Sequence, residues 1–80
     1  MVTVLRIDGF RVVIFVNDHR PAHVHVIAAD GQAKINLARV TGDPELVWAE
    51  GLSRADLRRA LRIVANHRAL LLNRWSEIHG

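Results

Sequence analysis

The chain predicts an α+β domain: an antiparallel meander of four to five strands with one long C-terminal amphipathic helix packed across it. Three observations carry this reading. Two Asp-Gly pairs, Asp8-Gly9 and Asp30-Gly31, separate β-rich runs. Between them, His23-Val24-His25-Val26 alternates with the period of two that a strand requires. After Ser53 the apolar residues recur at helical spacing instead.

The elements follow in order. Thr3 to Ile7 and Phe10 to Val16 flank Asp8-Gly9, and a type I′ turn needs positive φ at both central residues, which favours this pair. Asn17 to Ala22 is a loop containing Pro21, and His23 to Ala28 is the next strand. Asp30-Gly31 turns the chain into Gln32 to Ala38. Thr41-Gly42-Asp43-Pro44 reads as a loop, and Glu45 to Ala49 as a short fifth strand broken by Gly51. Ser53-Arg54-Ala55-Asp56 is a helix start close to a capping box. The helix runs from Arg54 to about Glu77, long enough to kink near Asn66. At about 100° per residue, Leu57, Ala60, Leu61, Val64, Leu71, Trp75 and Ile78 share one face. Arg54, Arg58, Arg59 and Arg62 lie opposite, and His67 sits at the edge of the apolar stripe. Residues 1–80 form one domain, with 1–50 the β-meander and 52–79 the helix.

Composition narrows the function classes. With 80 residues the core is small, yet 50% of residues are apolar. Either the core is dense or a second subunit covers part of the surface, as a homodimer or a hetero-complex. There are no cysteines, which excludes disulfides and thiolate metal sites and points to the cytoplasm. No apolar run approaches the ~20 residues that span a bilayer, and no signal peptide is recognised, so no membrane role is expected. Ten of the eleven basic residues are Arg, and the net charge is +3. Arg suits bidentate recognition of phosphate or carboxylate.

Three constellations bear on chemistry. The first is His23 and His25, which share a strand face, joined by His67 if the helix edge meets that face. Three imidazoles and a water are a catalytic zinc pattern. Val24 and Val26, however, read as the core-facing pair, which turns the histidines away from the helix. Acid/base or RNA-contacting histidines, and plain surface or interface histidines, are the competing readings. The second is the loop Asn17-Asp18-His19-Arg20-Pro21, where a carboxylate, an imidazole and a guanidinium precede the strand. An Asp can fix a His tautomer, and Arg can stabilise charge on a phosphorane. These are also ordinary turn residues. The third is the ridge of Arg54, Arg58 and Arg62, about 12 Å long, which would track a phosphate backbone or an acidic partner. A solvated helix face is the alternative. With no Tyr, base stacking on several sheet aromatics is not expected. No phosphate-binding glycine loop, dinucleotide fingerprint or His-Glu-x-x-His motif is present, and no cofactor is called for.

The whole chain resembles a small bacterial family known as domain of unknown function 4160. The opening Thr3-Val4-Leu5-Arg6-Ile7-Asp8-Gly9-Phe10-Arg11 is similar to that family's first hairpin. His19-Arg20-Pro21-Ala22-His23-Val24-His25-Val26 resembles its central signature, with Ala22 where a second Pro is usual. His67-Arg68-Ala69-Leu70-Leu71-Leu72-Asn73-Arg74-Trp75 is similar to its C-terminal helix. The resemblance implies a toxin–antitoxin-like two-gene module, since members are often encoded beside another short domain. It carries over no catalytic residue, but it directs attention to the His-rich signature and His67.

Two functional expectations follow. In the first, the chain is a metal-independent, RNA-acting toxin in which His23 or His25 serves as acid and base, with His67 a further candidate. Arg20, Arg54, Arg58, Arg59 and Arg62 then hold phosphate. In the second, it is a non-enzymatic protein binder, either an antitoxin-like neutraliser or a small inhibitor of a larger bacterial nucleoprotein complex. Its partner is then a small cognate protein or that complex. A metal, if bound, is expected at His23, His25 and His67.

Overall fold

A computed structural model describes residues 1–37 and 43–80. Five strands, β1 (Val2–Ile7), β2 (Phe10–Ile14), β3 (His23–Ile27), β4 (Gln32–Asn36) and β5 (Glu45–Glu50), form one sheet in sequence order. Every neighbouring pair is antiparallel, so the sheet is a meander. Two helices follow, α1 (Arg54–Asn66) and α2 (Arg68–His79). The expected loop residues Thr41 and Gly42, and Ala38 at the expected end of β4, lie outside the described residues.

The first turn forms as its residues require. Asp8 has φ 51° and Gly9 has φ 82°, both positive, and Ile7 pairs with Phe10 across them. The β3–β4 connection is longer, with Ile27 opposite Gln32 and the Ala28 N–H donating to the Gly31 carbonyl at 2.8 Å. Here the glycine answers a packing need. A Cβ on Gly31 would run into the backbone of Glu50 and Gly51, at the end of β5. Both edge strands are irregular: the register shifts between Thr3 and Leu5 on β1, and across Val47 on β5. Such bulges twist an edge and interrupt its ladder.

Ser53 caps α1 as expected, accepting from the Asp56 N–H at 3.1 Å. The helix does not continue to Glu77. At His67 (φ −114°, ψ 18°) it ends, and α2 starts at Arg68. The His67 N–H is shared between the carbonyls of Ile63 and Val64, and its Nδ1 also bonds the Ile63 oxygen at 2.8 Å. The ring therefore folds back on the last turn of α1, and the single long helix becomes two. Each then buries its own stripe: Ala60, Ile63 and Val64 on α1, Leu71 and Trp75 on α2.

The core lies between these stripes and one sheet face. It combines Phe10, Val12 and Ile14 of β2, Val24 and Val26 of β3, Ala33 and Ile35 of β4, and Leu37 just beyond. Val12, Val24, Val26, Ala33 and Ile35 are fully buried. Val24 and Val26 thus face the helices, and the alternation of a strand sends His23 and His25 to the opposite face.

Candidate functional site

That opposite face carries the polar chemistry. Cross-strand pairing aligns Val13 of β2, His25 of β3, Lys34 of β4 and Trp48 of β5 in one row. Val13 is fully buried, although it stands outside the helix-covered core. The ring of Phe15 meets that of His25 edge-on at 4.7 Å, and Trp48 approaches it at 6.0 Å. His23 and His25 lie 5.5 Å apart, ring to ring. Trp75, a core residue of α2, reaches within 5.1 Å of the His23 ring, and His79 stacks on Trp75 at 3.8 Å. The face bearing His23 and His25 therefore holds a second, smaller patch of aromatic rings and imidazoles, to which α2 contributes Trp75 and His79.

Asp18 completes it. The chain leaving β2 turns so that the Asp18 N–H donates to the Phe15 carbonyl at 3.1 Å. In return, the Phe15 N–H donates to Asp18 Oδ2 at 3.2 Å. This reciprocal pair fixes the carboxylate over the start of β3. Its Oδ2 lies 3.1 Å from His23 Nε2 and 4.0 Å from His25 Nδ1. The side chains are 4% exposed for His23, 12% for His25 and 19% for Asp18, so the group is largely shielded from water. His23 Nδ1 donates to the Pro21 carbonyl at 2.8 Å, which orients the ring and leaves Nε2 facing Asp18. His25 Nδ1 is buried without a hydrogen-bond partner.

Burial is the main reason the pKa of His25 is lowered. Asp18 opposes that effect, while His23 and Lys34 add to it. The folded state therefore binds a proton at His25 less readily than the unfolded chain does. Between the unfolded and the lowered folded pKa, the unfolded state holds more protons, so stability falls as pH decreases. In metal-free buffer, unfolding midpoints in urea should drop as pH falls below about 6.5, and the drop should shrink in His25→Gln. An identical pH profile in both proteins would remove His25 as its source.

The residues singled out by sequence are only partly brought together. His23 and His25 are adjacent, and their near partner is Asp18 rather than His67. His67 sits at the α1–α2 junction with its Nδ1 bonded to Ile63. Among the described residues, the three groups placed to share one ion are Asp18, His23 and His25. The expected set of His23, His25 and His67 is not brought together: His67 stands outside this group, with its Nδ1 taken by the Ile63 carbonyl at the α1–α2 junction. Arg20 is exposed and lines a groove with Pro21, Ala22, Leu72, Trp75 and Ser76. His19 is exposed as well. Arg54, Arg58 and Arg62 stand exposed on α1, whereas Arg59 is paired with Asp56. Asp18 was visible in the sequence as a neighbour of His19. The signal that would have joined it to His23 is the antiparallel return of the loop over the strand it precedes.

The fold and site define a small α+β domain built around a histidine-bearing strand. The chain belongs to the family described as domain of unknown function (DUF4160), whose model matches residues 9–76. No curated protein matches the chain, and neither does any solved structure.

Proposed function

We propose that the chain is the protein-binding member of a two-gene bacterial module, docking a small cognate protein on β5. The observation that supports this is the state of that strand. All six residues of β5 are exposed, and Leu46, Val47 and Trp48 are 38%, 44% and 39% exposed. A bare apolar edge is a liability that proteins normally cover. The acids Glu45 and Glu50 bracket this apolar centre. A second copy paired along the full length of β5 would set Glu45 against Glu50 at both ends, a like-charge arrangement that costs stability. The bulge at Val47 also breaks the regular ladder that an added strand would follow. The contact therefore rests on side chains, and it suits a partner with an apolar patch flanked by basic residues.

The metal-independent RNA-cleaving reading draws support from the pairing of His23 and His25, but the geometry supports it less. His23 is almost fully buried. Arg54, Arg58 and Arg62 stand exposed on α1, whose buried residues join the core cluster with Val24 and Val26 rather than with the imidazoles. One short RNA would not engage both.

The test is co-purification from the native host with tagged wild type, Leu46→Lys/Trp48→Lys and His25→Ala. A small protein in stoichiometric amount should accompany wild type and His25→Ala, and should be lost from the double variant at unchanged melting temperature. Retention by the double variant, or no protein with wild type, overturns the docking surface. Loss of RNA cleavage or of toxicity on His25→Ala would favour the enzymatic reading instead.

A further inference from the structure

We propose that Asp18, His23 and His25 form a binding site for one divalent first-row transition-metal ion, with zinc the reference case. His23 Nδ1 lies 2.8 Å from a carbonyl oxygen, which can only accept, so Nδ1 carries the proton. In the neutral ring Nε2 is then a bare acceptor, and it faces another acceptor, Asp18 Oδ2, at 3.1 Å. His25 Nδ1 lies 4.0 Å from the same oxygen, too far for a hydrogen bond, and has no hydrogen-bond partner among the described residues. A proton between His23 and Asp18 relieves one of these gaps and leaves the third group unanswered. A cation at the common point answers all three.

The arrangement has the other features of a built site. The three ligand atoms lie within 4.8 Å of one another. Around a tetrahedral ion with bonds of about 2.0–2.2 Å, ligand atoms stand roughly 3.3 Å apart. Side-chain torsions can close the difference without moving the sheet. The Nδ1–H of His23 bound to a backbone carbonyl is the outer contact that commonly orients a metal-ligating imidazole. Asp18 is likewise oriented by the Phe15 N–H. Both histidines project from β3, which is paired on both sides, so the donors sit on rigid backbone. Phe15 and Trp75 cover the rings.

The donor set selects the ion class. Two imidazoles and one carboxylate suit zinc, nickel, cobalt or ferrous iron, and are too nitrogen-rich for magnesium or calcium. Three protein ligands also leave a coordination position for water or an anion. Lys34, opposite His25 on β4, would favour an anion there.

The test uses the full chain without a polyhistidine tag, stripped of metal. Isothermal titration with zinc should give one equivalent, with a dissociation constant in the micromolar range or tighter. Cobalt should give the visible absorption of a coordinated ion and quench tryptophan fluorescence, because Trp75 and Trp48 lie beside the imidazoles. Asp18→Asn and His25→Gln should each weaken zinc roughly 100-fold or more, while His19→Ala and His67→Ala bind as wild type. Asp18 lies in a loop outside the core cluster, so its variant carries the test even if His25→Gln folds poorly. Absence of saturable binding, or equal binding by Asp18→Asn, overturns the site. Loss of binding in His67→Ala would overturn this choice of ligands.

Discussion

Trp75→Ala is expected to lower the unfolding free energy by about 3–5 kcal/mol, the usual cost of emptying a large aromatic position in a core. Trp75 is only 5% exposed and belongs to the core cluster with Leu71, Val64 and the β-strand residues. Its ring also backs His23 and stacks on His79. A domain of this size has a total stability of roughly 4–12 kcal/mol, so the variant should be close to unfolded. Trp48→Ala is the contrast. That side chain is 39% exposed on β5, and its loss should cost less than about 1 kcal/mol. Urea denaturation followed by far-ultraviolet circular dichroism compares the two directly. Similar costs for both tryptophans would mean that α2 does not pack as described.

The second large effect is expected at Gly31. Gly31→Ala places a methyl group against the Glu50 carbonyl and the Gly51 backbone. Backbone cannot rotate away as a flexible side chain can, so the β3–β4 turn must separate from the end of β5. A loss of about 3 kcal/mol is expected, at the upper end of ordinary overpacking. Faster hydrogen exchange should be concentrated in β5. Gly9→Ala is the control. Its φ is positive but no atom crowds the new Cβ, so only backbone strain of about 1–2 kcal/mol is expected. If Gly9→Ala proved the more damaging, the close approach of Gly31 to β5 would be disproved.

These two positions show where sequence reading succeeds and where it stops. Asp30-Gly31 was legible as a turn signal, but the reason for its glycine was not. The neighbour that demands it, Glu50, lies nineteen residues later in the chain, on another strand. Trp75 was legible as a core residue from helical spacing alone, because i, i+4 periodicity is a local property. A kink was expected near Asn66, where α1 ends, but the full division into two helices was less legible. Apolar spacing runs through it with little interruption, whereas the ring's bond to Ile63 is a choice of side-chain torsion. Ile63 is not on the expected apolar face, yet α1 buries it beside Ala60 and Val64.

The candidate site divides in the same way. That His23 and His25 share a face, and that Val24 and Val26 take the other, follows from the two-residue period of a strand. The resemblance that named the family likewise rested on contiguous motifs, and the family model covers the second and third of them and begins at Gly9 within the first. Asp18 entered the site by a different route. It is five residues from His23 and separated from it by a proline-containing loop, and periodicity has no rule for such a segment. Only the folded loop, closed by the Phe15–Asp18 bonds, sets its carboxylate over both imidazoles.

The sequence by itself thus determined the α+β class, the meander order, the cap at Ser53 and the side of the sheet on which each histidine stands. All of these are set by local steric and hydrogen-bonding preferences that a short window of residues contains. Tertiary structure decided that α1 and α2 separate at His67, that Asp18 rather than His67 joins the histidines, and that the side chains of β5 are left exposed at the sheet edge. These depend on which distant groups meet, and non-local contact is settled by packing the whole chain rather than by any one segment.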